Sequence, residues 1–528
     1  MRFQRLRQVL RWTFRAILAL AILLIAFILE ENIRGHILLT RYKADLRAKG
    51  EKLTLSEIDL PKIPKEGSGN AEFIAAAQQL KVVQRSNEFN VWFVTRLRWT
   101  EDGRPIVRCR QPDLGVRGPG VAAGTGGRRS RAIPSLNDAG QTNRSELAEQ
   151  RTATNLTVQA GWADLGKTVN AASNASARLN VVLTEGVVAI PIDYTQGFDI
   201  CLPHWGEIRD IHNWLALTTL LELHDGNLEA AIKNIALVTA LMRICQQGRI
   251  NLLQYERIGA GENGLDVTWE ALQSPGWNDS QLDQLRAAWQ MDKLLPDTIA
   301  ALEVERSFAV AYFDTVRGSL AEWQKLRRSL LSKAQCGCEN LRSDIAVSIY
   351  VALWRVAWLD QDELLLLKHY QNLLEATRKV VLGQAWQNVY HLPPAIPSFL
   401  HYGDLSRNFM TQFFEPSAEL TALKAMQFET RRLITLTAIA LKRFELQHGH
   451  LPSDLRELVP VFLTELPRDY MTDGPLHYRL ETNGVFSLYS VGNDGHDDGG
   501  DASPSHGKRL LIIWDGRDAV WPQPASER

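Results

Sequence analysis

From Ala16 to Leu29 the chain runs fourteen residues without a polar side chain, ten of them Ile, Leu or Phe. Each of those ten favours the bilayer by about 0.3–0.6 kcal/mol, so together they contribute roughly 3–6 kcal/mol. Fourteen helical residues rise only about 21 Å, short of the ~30 Å hydrocarbon layer. Starting the helix at Trp12 gives about 27 Å, with Arg15 snorkelling to the interface. A buried core helix would show a polar stripe, and this run has none. A cleaved signal peptide needs small residues at the cut, and Phe27-Ile28-Leu29-Glu30 offers none. Residues 12–29 are therefore read as an uncleaved, single-pass transmembrane anchor in contact with the lipid bilayer. Arg2, Arg5, Arg7, Arg11 and Arg15 precede the run, whereas Glu30 and Glu31 follow it. Arg34, Arg41 and Lys43 come soon after, so the bias is modest. It predicts a cytoplasmic basic tail at 1–11, an inner (cytoplasmic) membrane location and an exported C-terminal bulk. No cysteine directly follows the run, so it is not a lipoprotein signal.

A chain of 528 residues exceeds what one core holds, and two or three domains are expected. With 59 basic and 60 acidic side chains the net charge is −1, which provides no overall field to attract nucleic acid. Five cysteines are too few for a disulfide framework. Cys336 and Cys338 flank one glycine, a spacing open to a strained disulfide or to two free thiols in a loop.

Residues 30–86 read as a membrane-proximal stalk of short amphipathic helices, broken by Pro61, Pro64, Gly67 and Gly69, with a helix opening at Asn70. Aromatic and β-branched residues around Asp102-Gly103 suggest a hairpin within 87–111. Residues 112–160 are read as a flexible linker, because glycine and arginine replace the strong apolar residues between Pro112 and Arg144. A basic nucleic-acid arm is the alternative there, but it has no aromatics to stack bases.

Residues 161–396 form a predominantly α-helical domain. Ile208–His224 and Leu228–Cys245 are predicted as a helical hairpin around Asp225-Gly226-Asn227. Trp214, Leu217, Leu221 and Ala230 resemble one tetratricopeptide unit, without a second copy at the 34-residue period. Further helices are expected at 252–272, 279–289, 297–332, 344–358 and 362–384, and the prolines of 392–397 mark a boundary. A small α+β domain then spans 415–528: a helix from Ser417 to His448, a short helix at 453–459, and strands at 476–480 and 485–489 around Asn483-Gly484. Leu510–Trp514 is a third candidate strand.

The order Ala440-Leu441, Phe444, His448-Gly449, Leu451-Pro452, Leu455 and Leu458 leads to Tyr478, Phe486 and Tyr489-Ser490-Val491-Gly492-Asn493-Asp494-Gly495. Residues from about 415 to 515 thereby resemble the globular domain of the major pseudopilins of type II secretion systems. That resemblance implies a long helix running into a small antiparallel sheet, an acidic calcium loop, and a role in assembly. The layout is also similar to a group of uncharacterised membrane-anchored bacterial proteins. These share a short anchor, a stalk phrase like Gly50-Glu51-Lys52-Leu53 and a middle phrase like Leu202-Pro203-His204.

The chain has no His-Glu-x-x-His helix and no Gly-x-Ser-x-Gly elbow. Its best catalytic or zinc grouping is Asp193, Asp199, His204, Glu207 and His212. The alternative reading is a helix start with a dipole-favoured glutamate and surface histidines. The cluster Lys325, Arg327, Arg328 and Lys333 reads as a solvated helix face. Asp494, Asp497, Asp498 and Asp501, interleaved with glycines, are the candidate metal ligands for Ca²⁺, and a solvated acidic turn is the alternative. Asp494 maps most directly onto the pseudopilin-like phrase, and the loop departs from an EF-hand because Ser505 stands at the twelfth position. The functional expectation is a non-catalytic, membrane-anchored envelope scaffold with a structural calcium loop and envelope or secretion-system partners. An exported metal-dependent hydrolase using His204, Glu207 and His212 is the alternative.

Overall fold

The computed structural model describes residues 2–62, 67–86, 100–101, 104–105, 162–202, 204–334, 348–389, 409–481, 484–505 and 512–521. The linker, the break at 392–397, and Cys109, Cys336 and Cys338 lie outside the described residues. Of the hairpin, strands β1 (Thr100–Glu101) and β2 (Arg104–Pro105) pair antiparallel, with Thr100 opposite Pro105.

Helix α1 (Arg2–Ala48) is one unbroken helix of 47 residues. Its window of highest mean hydropathy, 2.4, has none of its residues buried, and among the described residues it alone is long and apolar enough to cross a membrane. Beyond Leu29 the exposure pattern changes. Glu31, Gly35, Leu39 and Leu46 are buried along one stripe, at the three- to four-residue spacing of a single helix face. The expectation of a stalk made of short helices is corrected here: residues 30–48 continue the apolar N-terminal helix and lie against the body. Gly50 (φ +82°) ends it, with Gly50 N donating to Arg47 O and Glu51 N to Leu46 O. That pair of bonds is a Schellman stop, and its left-handed position favours glycine.

The body is mostly helical. Helices α2 (Asn70–Ser86), α3 (Trp162–Ala171), α4 (Ser173–Glu185), α5 (Trp205–His224) and α6 (Leu228–Cys245) surround a core that includes Phe73, Leu179, Trp214 and Leu241. The hairpin of α5 and α6 is the one expected, and Asn227 caps α6 by accepting from Ala230 N. Helices α7 (Asn251–Gln273), α8 (Asp279–Ala288), α9 (Leu294–Gly318) and α10 (Leu320–Ala334) follow. The single helix expected over 297–332 is broken, because Ser319 takes an extended conformation and its hydroxyl accepts from Glu322 N. Residues 348–353 are helical, pass through a π-helical turn at Trp354–Trp358, and continue as α11 (Leu359–Val381). A short α12 (Trp386–Val389) precedes α13 (Phe409–His448).

Helix α13 was expected to open a separate domain, yet its Phe428, Ile434 and Ile439 share one core with Leu265, Trp289, Phe313 and Tyr370 of the middle helices. Fully buried Asp362 of α11 caps its start, accepting from Met410 N (3.1 Å), Thr411 N (3.1 Å) and Thr411 Oγ1 (2.6 Å). Strands β3 (His477–Leu480), β4 (Phe486–Ser490) and β5 (Ala519–Val520) form an antiparallel sheet in that order, with His477 opposite Tyr489 and Tyr489 opposite Val520. The third strand expected at 510–514 is displaced: Ile513–Asp515 is a 3₁₀ turn, and Ala519–Val520 pairs instead. Asp515 Oδ2 accepts from Ile512 N at 3.1 Å, a local bond that closes a turn in place of a strand.

Candidate functional site

The acidic loop leaves β4 at Ser490. Buried Asp469 receives Ser490 Oγ (2.9 Å), Val491 N (3.1 Å) and Met471 N (2.9 Å), which fixes the exit of the strand. At Gly492 (φ +75°) a Cβ would stand 2.5 Å from Arg517 O, so the chain needs glycine there for space and for conformation. Asn493 then docks the loop in three directions. Its Nδ2 donates to Trp514 O (2.8 Å), its Oδ1 accepts from Gln427 of α13 (2.7 Å), and its carbonyl accepts from Gln387 of α12 (3.0 Å). The phrase that carries the pseudopilin-like resemblance is thus the seam between sheet and helical body.

The four carboxylates do not converge. Asp494 accepts from His496 N at 3.1 Å. Asp497 accepts from Gly499 N (2.9 Å) and Tyr489 Oη (3.1 Å), and the Gly499 bond holds its carboxyl below the usual range. Asp501 accepts from Ser503 N (2.9 Å), which lowers it likewise. Arg517 lies between two of them, 3.5 Å from Asp498 and 3.6 Å from Asp501. Asp518, which the sequence did not single out, gathers the N–H groups of Gly500 (2.7 Å), Asp501 (3.1 Å) and Asp498 (3.4 Å). A calcium shell needs six to eight oxygens aimed at one point. Here the oxygens face backbone N–H groups, and Arg517 provides the countercharge. Among the described residues no group of three or more His, Cys, Asp or Glu is placed to hold a metal. As arranged, Asp494, Asp497, Asp498 and Asp501 each have a hydrogen-bond or ion-pair partner within the loop or on Arg517.

The second candidate grouping is likewise dispersed. Asp193 caps a 3₁₀ turn by accepting from Thr195 N and Oγ1, and Asp199 lies 3.5 Å from Lys325. His204 sits in the left-handed region (φ 65°) just ahead of α5, and Glu207 stands in the first turn of that helix. His212 is buried: Asn263 Nδ2 donates to its Nδ1 (2.8 Å), and its Nε2 lies 3.5 Å from Glu256. Both ring nitrogens have partners inside the protein. Cys245 is also buried, and burial, reinforced by Glu256, pushes its thiol up to about 12. Such a thiol is inert.

What does assemble is the junction between α1 and the body. Just past the Schellman stop, Glu51 Oε2 accepts from Arg306 Nη2 (2.9 Å), while Oε1 accepts from Arg378 Nη1 (2.5 Å) and Gln371 Nε2 (2.9 Å). Arg306 is fully buried and also donates to Lys52 O (2.8 Å) and Gln371 Oε1 (2.5 Å). Arg378 adds Glu303 at 2.7 Å, and Leu46 and Leu53 close the latch on either side with no exposure. Burial alone would raise the Glu51 carboxyl, but the bonds from Arg378, Gln371 and Arg306 outweigh it and hold it at about 2. Each residue of Gly50-Glu51-Lys52-Leu53 therefore has a structural task.

A ladder of polar contacts continues along the same face towards the apolar stretch of α1. Lys43 meets Glu363 (2.5 Å), His36 meets Asp360 (3.1 Å), Gln361 donates to Glu31 O (3.0 Å), and Asn32 donates to Val356 O (2.7 Å). Between the rungs, Leu39 packs with Val310, Leu364 and Leu367. Sequence reasoning missed this site because the partners of Glu51, Arg306 and Arg378, lie 255 and 327 positions away from it. The one local signal was the Gly-Glu pair itself.

The chain matches no protein-family model, no curated protein and no solved structure.

Proposed function

We propose that this protein is an envelope-facing scaffold that holds its helical body and C-terminal sheet in a fixed orientation above the inner membrane. The observation that carries this reading is the continuity of α1, which passes without a break from its lipid-facing stretch to the buried Glu51 latch. A flexible tether lets a domain search its surroundings, whereas a helix held by two arginines and a polar ladder sets the domain's height and tilt. That suits a platform for protein partners of the envelope or of a secretion system. The likeness of residues 415–515 to pseudopilin globular domains supports the same reading, because that domain type serves assembly.

In-cell crosslinking of the full-length chain, followed by purification, tests the proposal. The expected result is an envelope protein recovered in stoichiometric yield, with the yield falling when Glu51→Ala loosens the latch. Zinc in stoichiometric amount, with a hydrolase activity lost in His212→Ala, would establish the enzyme instead. Reporter fusions at the C-terminus test the orientation: a silent periplasmic reporter and an active cytoplasmic one would overturn export.

A further inference from the structure

The register between α1 and the helix beside it extends the membrane contact to a second element. Asn32 bonds the carbonyl of Val356, Gly35 lies against Asp360 and Gln361, Lys43 meets Glu363, and Glu51 meets Gln371 and Arg378. Both sequences ascend together, so the two helices run parallel. Followed back from Val356 towards the membrane, the partner helix continues to residue 348, and each residue descends about 1.5 Å. Ile349, seven positions before Val356, therefore stands about 10 Å lower, level with the last turns of the apolar span. Ile28 of that span packs against the core that holds Trp354, Ala357 and Trp358. The outward side chains here are apolar: Ile349 is 64% exposed and Val356 51%. Leu320, 57% exposed, opens α10 beside them, because Arg355 donates to Val316 O and Arg317 O at the end of α9.

We infer that residues 348–356, together with Leu320, are seated in the lipid of the leaflet from which α1 emerges, as a second and partial insertion beside the transmembrane helix. This rests on the reading of α1 as a membrane span. The occupant of the apolar face is lipid because the face is continuous with that span: Ile349 lies at the depth of its last turns, and Val356, level with Asn32, lies at the interface just above it.

The test places a photo-crosslinking benzophenone side chain, one site at a time, in the full-length chain in vesicles of phosphatidylcholine and phosphatidylglycerol. The sites are Leu20, Ile349, Val356 and Leu382. Leu382 is 83% exposed at the opposite end of α11 and serves as the aqueous control. The expected result is lipid adducts at positions 20, 349 and 356, at least tenfold above position 382. Adducts at 20 alone leave the anchor standing and overturn this inference. An absence of adducts at 20 overturns both. Equal adducts at 349 and 382 also overturn it, since the face would then be no closer to lipid than the far end of the body. All four sites are exposed, so the probe displaces no core residue.

Discussion

Glu51 and Arg306, 255 residues apart in sequence, meet at 2.9 Å with the guanidinium fully buried. Removing one partner of such a pair leaves an uncompensated charge inside the protein, which costs about 3–5 kcal/mol. Glu51→Ala should lose that much in chemical denaturation of the detergent-solubilised chain. A loss under about 1 kcal/mol would place the pair among ordinary surface ion pairs.

The pH dependence of that latch has a definite sign. The Glu51 carboxyl is depressed in the folded state, from 4.5 to about 2. Its contribution is therefore fully present above the unfolded value and is lost as pH falls through the folded one. Wild type and Glu51→Gln should converge in stability as pH falls from about 4.5 towards 2. Parallel curves across that window would show that the carboxylate is not held by the arginines.

Glu305 behaves in the opposite way. Burial pushes its carboxyl up to about 7, with the Asn251 N–H bond working against the shift. The folded state then holds the proton more tightly, so stability from this group is present below about 4.5 and is lost as pH rises through about 7. Glu305→Gln keeps an acceptor for Asn251 and removes the titration. The variant should gain on wild type between those limits, approaching about 3 kcal/mol at the top of the range. A constant difference from pH 4 to 8 would contradict the burial of this group.

For the acidic loop, the folded arrangement predicts that melting midpoints in calcium and in chelator coincide. Arg517→Gln should cost no more than about 1 kcal/mol and so lower the midpoint only slightly, since its ion pairs are partly exposed. Asn493→Ala should cost more, because it frees Gln427 and leaves the Trp514 carbonyl without its donor. A midpoint raised by calcium, with the rise abolished in Asp494→Ala, would show that the carboxylates turn inward around a metal after all.

The parts legible in the sequence were those encoded locally. The hairpin of α5 and α6 followed from apolar spacing and from Asp225-Gly226-Asn227, and the long apolar N-terminal helix followed from an uninterrupted apolar run. The strands around Asn483-Gly484 were legible for the same reason. The course of α1 beyond Leu29 was not, because its body-facing stripe contains Glu31 and Gly35, neither of which signals a core position. Their burial makes sense only beside Gln361, which lies 330 positions away from Glu31. The docking of α13 was hidden in the same way: its polar residues Glu429 and Arg432 are buried against Leu294 N and Trp289 O. Sequence periodicity treats such residues as solvent-facing, and only the fold supplies their partners. In the acidic loop, spacing drew attention to the carboxylates but could not show their bonds to nearby backbone N–H groups and to Arg517.

The claim that the anchor helix and the body are one rigid unit is tested most directly by amide hydrogen exchange on the full-length chain in lipid nanodiscs. A latched helix opens only when the body unfolds, whereas a tethered one frays on its own. Residues 39–53 should exchange as slowly as the centre of α11, and Glu51→Ala should speed them selectively. Fast exchange at 39–53 in the wild-type protein, beside a slow α11, would mean that the stretch is a hinge and the account is wrong.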